Sequence, residues 1–244
     1  MLAELRKTLR TLEQPARGRL LFGIGPIDTA LGGGLTRGAL HEIAAAGEAH
    51  VSMATGFALA LSSLSPSSPR AAGKGGRGIV WIATEMALAE SGAPYGPGLN
   101  AFGLAPEQLV TIATAHTHDL LWAMEEALRC RAVGAVIGEL RHEEVDSVAV
   151  RRLSLAAGQS GALAILLRAS PPHDASTAAT RWIVSAACND AFAVRLTRNR
   201  RGVLDDWTLQ WSDEDECFVP TTHAQPVAAP AADRPHRQIA QHVA

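Results

Sequence analysis

Only three cysteines occur in the 244 residues, Cys130, Cys188 and Cys217. They are far apart and form no Cys-x-x-Cys pair, which argues against a disulfide framework or a zinc knuckle and fits a reducing compartment. No apolar run approaches the roughly 18 residues of a membrane-spanning helix. The first residues carry mixed charge instead of the charged, apolar, small-residue order of a signal peptide. The expectation is a cytoplasmic protein with no membrane partner. A charge of one sign is missing too: 22 basic and 24 acidic residues leave a net charge of −2. Any contact with nucleic acid would therefore have to come from a local patch.

What is present is an ordinary globular composition, 47% hydrophobic and 19% charged, in a chain long enough to bury a substantial core. Residues 40–44, 79–83, 109–114, 134–137 and 162–167 read as buried strands, and residues from 51, 118–131 and 147–159 as helices. This alternation predicts an α/β fold, a doubly wound and mostly parallel sheet flanked by helices. Residues 191–197 and 207–211 read as a closing β-hairpin around 198–206. Residues 92–106 read as a Gly/Pro-rich loop and 182–187 as an apolar segment. Three parts follow. Residues 1–14 form an amphipathic docking helix with Leu2, Leu5, Leu9 and Leu12 on one stripe. Residues 15–219 form the core domain, and 220–244, rich in Ala, Pro, His and Thr, a disordered tail. Residues 65–78 (SPSSPRAAGKGGRG) read as a flexible surface loop, with basic contact to DNA or a partner as the alternative.

The most informative stretch is HEIAAAGEAHVSMATGFALAL, a strand, a small-residue loop and an apolar helix. That geometry presents backbone N–H groups and a helix N-terminus to a phosphate. A working loop reads G-x-x-x-x-G-K-[ST]; here the frame holds Ala45, then His50, Val51 and Ser52, with Gly47 inside it. Both frame glycines and the lysine are missing. An ammonium about 4 Å from a phosphate charge is worth roughly 4 kcal/mol at an effective dielectric near 20, on the order of a thousandfold in affinity. Val51 supplies none of it. The expectation is a vestigial phosphate loop with no cofactor, weak binding of ATP with magnesium being the alternative.

Other constellations are thinner. Arg195, Arg198, Arg200 and Arg201 form the one dense basic run; it reads equally as a solvated turn or as a DNA or partner contact, with Arg198 and Arg200 on one face. His116, His118 and Asp119 invite a metal reading, but no further ligand cluster is visible, and a helix cap by Asp119 or His118 accounts for them better. No Gly-x-Ser-x-Gly elbow or Ser/His/Asp set occurs. Trp182, Trp207 and Trp211 read as core or sheet-packing residues.

Whole segments resemble a known family. LFGIGPIDTALGGGLTRGALHEI and WIATEMAL resemble the entry segment and second core strand of the RecA recombinase core. HDLLWAMEEALR, TRWIVSAA and RLTRNRRGVLDDWTLQW resemble the inducible mutagenesis protein A (ImuA) family, RecA-like proteins with a degenerate ATP site. The resemblance covers residues 21–211. It implies a RecA-like fold with Glu85 at the place of the glutamate that activates water, here vestigial. The metal-holding aspartate would fall at Gly138, with Glu139 one step along, either a displaced ligand or a solvated strand end. The first DNA loop would be residues 141–146 (RHEEVD), whose three acids repel phosphates, and the second 170–180, which holds no Lys or Arg.

The function so implied is non-catalytic. It is that of an accessory protein of DNA-damage-induced (SOS) mutagenesis, contacting ImuB, an inactive Y-family polymerase relative, an error-prone C-family DNA polymerase and, through the shared fold, RecA. Self-association stays open. The alternatives are a weak or ATP-gated RecA-like ATPase and a nucleotide-independent DNA-binding protein.

Overall fold

The computed structural model describes residues 18–64, 77–141, 145–172 and 176–221. The docking stripe of Leu2, Leu5, Leu9 and Leu12, nearly all of the loop 65–78 and nearly all of the tail lie outside the described residues.

The chain enters through two short strands, β1 (Arg19–Leu20) and β2 (Leu35–Thr36), paired antiparallel around helix α1 (Gly25–Ala30). The Asp28 carboxylate fastens this entry by accepting from the N–H groups of Phe22 and Gly23 at 2.9 and 3.1 Å. The glycine run that follows is turn chemistry. Gly34 has φ +102°, and a Cβ there would lie 2.7 Å from the Leu20 carbonyl oxygen, so only glycine fits without strain.

The core then runs β3 (Ala39–Ala45), α2 (Val51–Ser63), β4 (Gly78–Thr84), α3 (Glu85–Ser91), α4 (Gly96–Ala101) and β5 (Leu109–Thr114). It continues α5 (Thr117–Arg129), β6 (Val133–Leu140), α6 (Ser147–Ser160) and β7 (Leu163–Arg168). It closes with β8 (Thr180–Ala186), β9 (Phe192–Asn199), β10 (Asp206–Ser212) and β11 (Cys217–Pro220). The nine strands β3 to β11 form one sheet in the order β11-β10-β9-β8-β3-β7-β6-β4-β5. Strands β8 to β5 of that order are parallel; β9, β10 and β11 continue antiparallel.

Helices cover both faces of the parallel body, so β3, β6 and β7 are buried at every position and read as continuous apolar runs. On one face Ile43, Ile137, Ile165 and Trp182 pack under Phe57 and Leu61 of α2. That helix is buried on most of its circumference, which is why it shows no polar stripe. On the other face Leu40, Ile82, Val136 and Leu166 pack under Leu120, Met124 and Leu128 of α5 and Val150 and Leu153 of α6.

Two polar residues sit inside β3, and each is tied to β8 or the loop before it. The His41 ring bonds Thr180 Oγ1 through Nδ1 and the Thr36 carbonyl through Nε2, both at 2.8 Å. A carbonyl only accepts, so Nε2 carries the proton and Nδ1 accepts from the Thr180 hydroxyl. Full burial pushes the His41 pKa down to about 4, partly offset by the bond to Thr36. The buried Glu42 accepts from Arg181 Nε at 2.6 Å and Ser176 Oγ at 2.9 Å.

Three expectations need correcting, and a fourth, the C-terminal hairpin, is present with one strand more. Residues 92–106 contain α4, whose start Gly-Pro-Gly disguised it; proline at a first helical position is pre-set for the turn. The apolar segment 182–187 belongs to β8, the last parallel strand, paired with β3. The C-terminal hairpin exists as β9 and β10 but gains β11. The start of α5 has His116 at its N-cap with no side-chain cap bond. Asp119 lies a turn inside, where its charge meets the positive end of the helix dipole.

Candidate functional site

At the carboxyl edge of a parallel sheet, where α/β proteins place ligands, the loop from β3 to α2 bends over the end of β8. The Ala46 N–H donates to the Val184 carbonyl at 2.8 Å, and the His50 N–H to the Gly47 carbonyl at 2.9 Å. His50 Nδ1 accepts from the Ala186 N–H at 3.3 Å. Glu48–His50 form a 3₁₀ turn leading into Val51. Two backbone donors and the His50 ring are thus spent on holding the loop to itself and to β8. Ala45 is fully buried at the end of β3, and Gly47 is extended.

Beside this loop lies a cavity of about 520 Å³. Val51, Ser52, Thr55 and Gly56 of α2 form one wall, Trp81 and Glu139 the floor, and Tyr95, Leu99 and Phe102 the wall around α4; Glu48, Glu90 and Arg141 also line it. The α4 wall is held from β10, where Trp211 Nε1 donates to the Ala101 carbonyl at 2.8 Å and its ring packs on Phe102 at 5.5 Å.

Strand alternation decides which acid reaches the cavity. A Cβ on Gly138 would meet Met124 Sδ at 2.2 Å, so position 138 faces α5 and its space is already filled. Glu139 faces the cavity. It is 5% exposed, accepts from Trp81 Nε1 at 3.1 Å and is ion-paired with the Arg141 guanidinium at 2.9 Å. Arg141 also stands 3.8 Å from Glu90. Glu139 is therefore not a solvated strand end: a cation of the chain itself lies against it.

The other expected residues are placed as follows. Glu85 is exposed at the start of α3 and does not line the cavity; Thr84 caps that helix, its hydroxyl accepting from the Ala87 N–H at 3.2 Å. Arg198 and Arg200 do come together, on the carbonyls of Ala178 and Thr177 at 3.0 and 2.5 Å. Arg195 stands apart, exposed on β9 opposite Ile183 and Asp206. The Arg201 N–H donates to Asn199 Oδ1 at 3.1 Å. Trp182 is fully buried, and Trp207 and Trp211 pack partly buried against the same core. Among the described residues no three His, Cys, Asp or Glu side chains gather as a metal site, and no helix is long and apolar enough to cross a membrane.

Protein ImuA of Caulobacter vibrioides (strain NA1000 / CB15N) is 29% identical over 213 residues, 78% of this chain and 82% of that protein. The chain is a homologue of Protein ImuA. Protein ImuA of a second Caulobacter vibrioides strain, ATCC 19089 / CIP 103742 / CB 15, matches to the same extent. The crystal structure of the RadB recombinase superposes with a TM-score of 0.57 at 14% identity, covering 82% of this chain and 98% of that one. The fold is RecA-like. No protein-family model matches the chain. At the end of β6 it is Glu139, not Gly138, that faces the cavity beside the loop before α2.

Among the residues that sequence reasoning left out of the site are Glu48, Trp81, Glu90, Tyr95, Phe102 and Arg141. A signal for one of them existed: in a strand, residues two apart share a face, so Glu139 and Arg141 could have been paired.

Proposed function

We propose that this homologue of Protein ImuA is a non-catalytic RecA-like accessory protein of DNA-damage-induced mutagenesis. It works in the cytoplasm through contacts with ImuB, an error-prone C-family DNA polymerase and RecA. The observation that carries the non-catalytic reading is the pairing of Glu139 with Arg141 beside a helix that opens on Val51. Where a nucleotide site needs a lysine for the phosphates and an open carboxylate for the metal, this chain offers an aliphatic side chain and a carboxylate already neutralised. A RecA-like body without turnover keeps its surfaces for partners.

The test is isothermal titration of the full chain with ATP and Mg²⁺, with Val51→Lys alongside. The expected outcome is no heat from the wild type at millimolar ATP, followed by co-purification with the polymerase partners. Micromolar binding that disappears in Ser52→Ala would overturn the reading. One observation favours a second reading: Ser52 and Glu139 line the same cavity, the pair of groups that a weak magnesium–nucleotide site would use. The same titration distinguishes the two.

A further inference from the structure

A second groove, of about 540 Å³, shares no residue with the cavity beside α2. It runs along α6, where Arg151, Ser154, Leu155, Gly158 and Gln159 fall on one face at helical spacing, and is flanked by Thr177 and Arg200. Gln159 comes shortly before β7 and Thr177 shortly before β8. The groove therefore lies towards the amino edge of the sheet, opposite the loop before α2. Its charge is all of one sign: Arg151 and Arg200 line it, and no Asp or Glu does. Among the described residues neither guanidinium is ion-paired. Arg200 is held in place, its backbone N–H donating to the Ala179 carbonyl at 3.0 Å and its Nη2 to the Thr177 carbonyl at 2.5 Å. Those acceptors are neutral, so the guanidinium keeps its charge and its remaining donors. The Ser154 and Thr177 hydroxyls have no hydrogen-bond partner among the described residues, and a hydroxyl can donate to an anion. Leu155, one turn beyond Arg151, is 60% exposed and adds an apolar surface.

We infer that this groove receives a glutamate or aspartate side chain presented by a partner polypeptide, its carboxylate at Arg151 and Arg200 and an adjoining aliphatic residue against Leu155. The inference deepens the reading of the protein as a contact factor and rests on it. Charge complementarity selects the occupant, because guanidiniums pair with carboxylates through parallel N–H donors and a basic or neutral segment would leave both unpaired. A nucleic-acid strand offers anions too, but its bases would find no aromatic face in this lining to stack on. A free anion such as phosphate would leave most of the groove empty and Leu155 bare. A polypeptide supplies the anion and the apolar footing together. Since Arg200 is already held, little of its side-chain freedom remains to be lost on binding.

The test is a ¹⁵N correlation-spectrum titration of the full chain with the capped pentapeptide Ala-Leu-Glu-Leu-Ala and its Asp, Gln and Lys counterparts. The amide signals of Leu155, Gly158 and Thr177 report on the groove, and those of Gly56 and Gly98 on the cavity beside α2. The Glu and Asp peptides are expected to shift the first set and the Gln and Lys peptides to leave it in place, with the second set still throughout. Arg151 is exposed, so Arg151→Gln leaves the fold intact, which the dispersion of the spectrum checks. That variant should bind the Glu peptide about threefold more weakly, the scale of an exposed ion pair, and Arg151→Lys should restore most of the loss. Shifts of equal size from the Gln or Lys peptide, none from any peptide, or unchanged affinity in Arg151→Gln overturn the inference and leave the non-catalytic reading standing. Stronger shifts from a thymidine pentanucleotide than from the Glu peptide overturn it too, and make the groove a phosphate site. Saturable shifts of Gly56 and Gly98 by ATP with Mg²⁺ overturn the non-catalytic reading itself, whatever the groove binds.

Discussion

The parallel body of the sheet and its antiparallel extension solve the same problem differently. In the body, β3, β6 and β7 are buried at every residue because helices lie on both faces. In β8, the last parallel strand, and in β9 of the extension, buried and partly exposed residues alternate. Trp182, Val184, Phe192, Val194 and Leu196 face the core, while Arg195 looks outward to solvent. At Gly138 the body leaves no room for an added atom, whereas the extension tolerates change on its open face. The seam between them is polar, held by His41 with Thr180 and Glu42 with Arg181. Packing density thus sets what each region can lose, and the most severe test of the contrast lies in the body.

Gly138→Asp restores the acid that a RecA-like metal site would suggest at that position, but its Cβ falls on Met124 and its carboxylate enters an apolar layer. Overpacking and an unpaired buried charge together should cost about 4 kcal/mol. Urea unfolding measures this, and a loss below about 1 kcal/mol, the ordinary effect of a point substitution, would mean that the body is softer than described.

The seam gives the next largest effect. His41 stays neutral in the fold down to about pH 4, against 6.5 for an unperturbed histidine, so below pH 6.5 the unfolded chain binds the extra proton. This contribution to stability is complete above pH 6.5, falls as pH drops towards 4 and levels off below. The linkage amounts to about 2 kcal/mol by pH 5 and about 3 by pH 4. The wild-type minus His41→Gln difference in unfolding free energy, followed from pH 8 to 4, isolates it from the other titrating groups. A flat difference would remove the seam from the argument.

The extension gives the smallest effects and sharpens the contrast within one strand. Arg198→Ala removes a donor from the Ala178 carbonyl and should cost about 1 kcal/mol. Arg195→Ala, on the open face, should change stability by less than about 0.5 kcal/mol. Equal losses would show that the arginine run is one unit and not two kinds of residue.

How much of this was legible follows from the same contrast. The strands of the body announced themselves as continuous apolar runs because nothing on either face is wet. The extension and β8 were harder. β11 is four residues ending in proline, and β8 follows a polar loop and carries Arg181 near its start, so neither resembled a buried strand. α4 hid behind Gly96, Pro97 and Gly98. At the site, the missing lysine at Val51 needed only motif arithmetic. The cavity itself gathers residues from α2, β4, α4 and β6, and no local pattern joins Trp81 to Glu139 or Tyr95 to Val51. The phase of β6 was the deciding unknown. Gly138 and Glu139 necessarily face opposite ways, and only the placed strand tells which of them meets the cavity.

The Trp211 indole has a mechanical consequence. By bonding the Ala101 carbonyl and packing at a tilt on Phe102, it props α4 from β10, at the other end of the strand order from β4. A wall braced in this way cannot swing into the cavity without breaking that prop. The position of that wall is therefore set partly by a bond made outside the cavity's own lining.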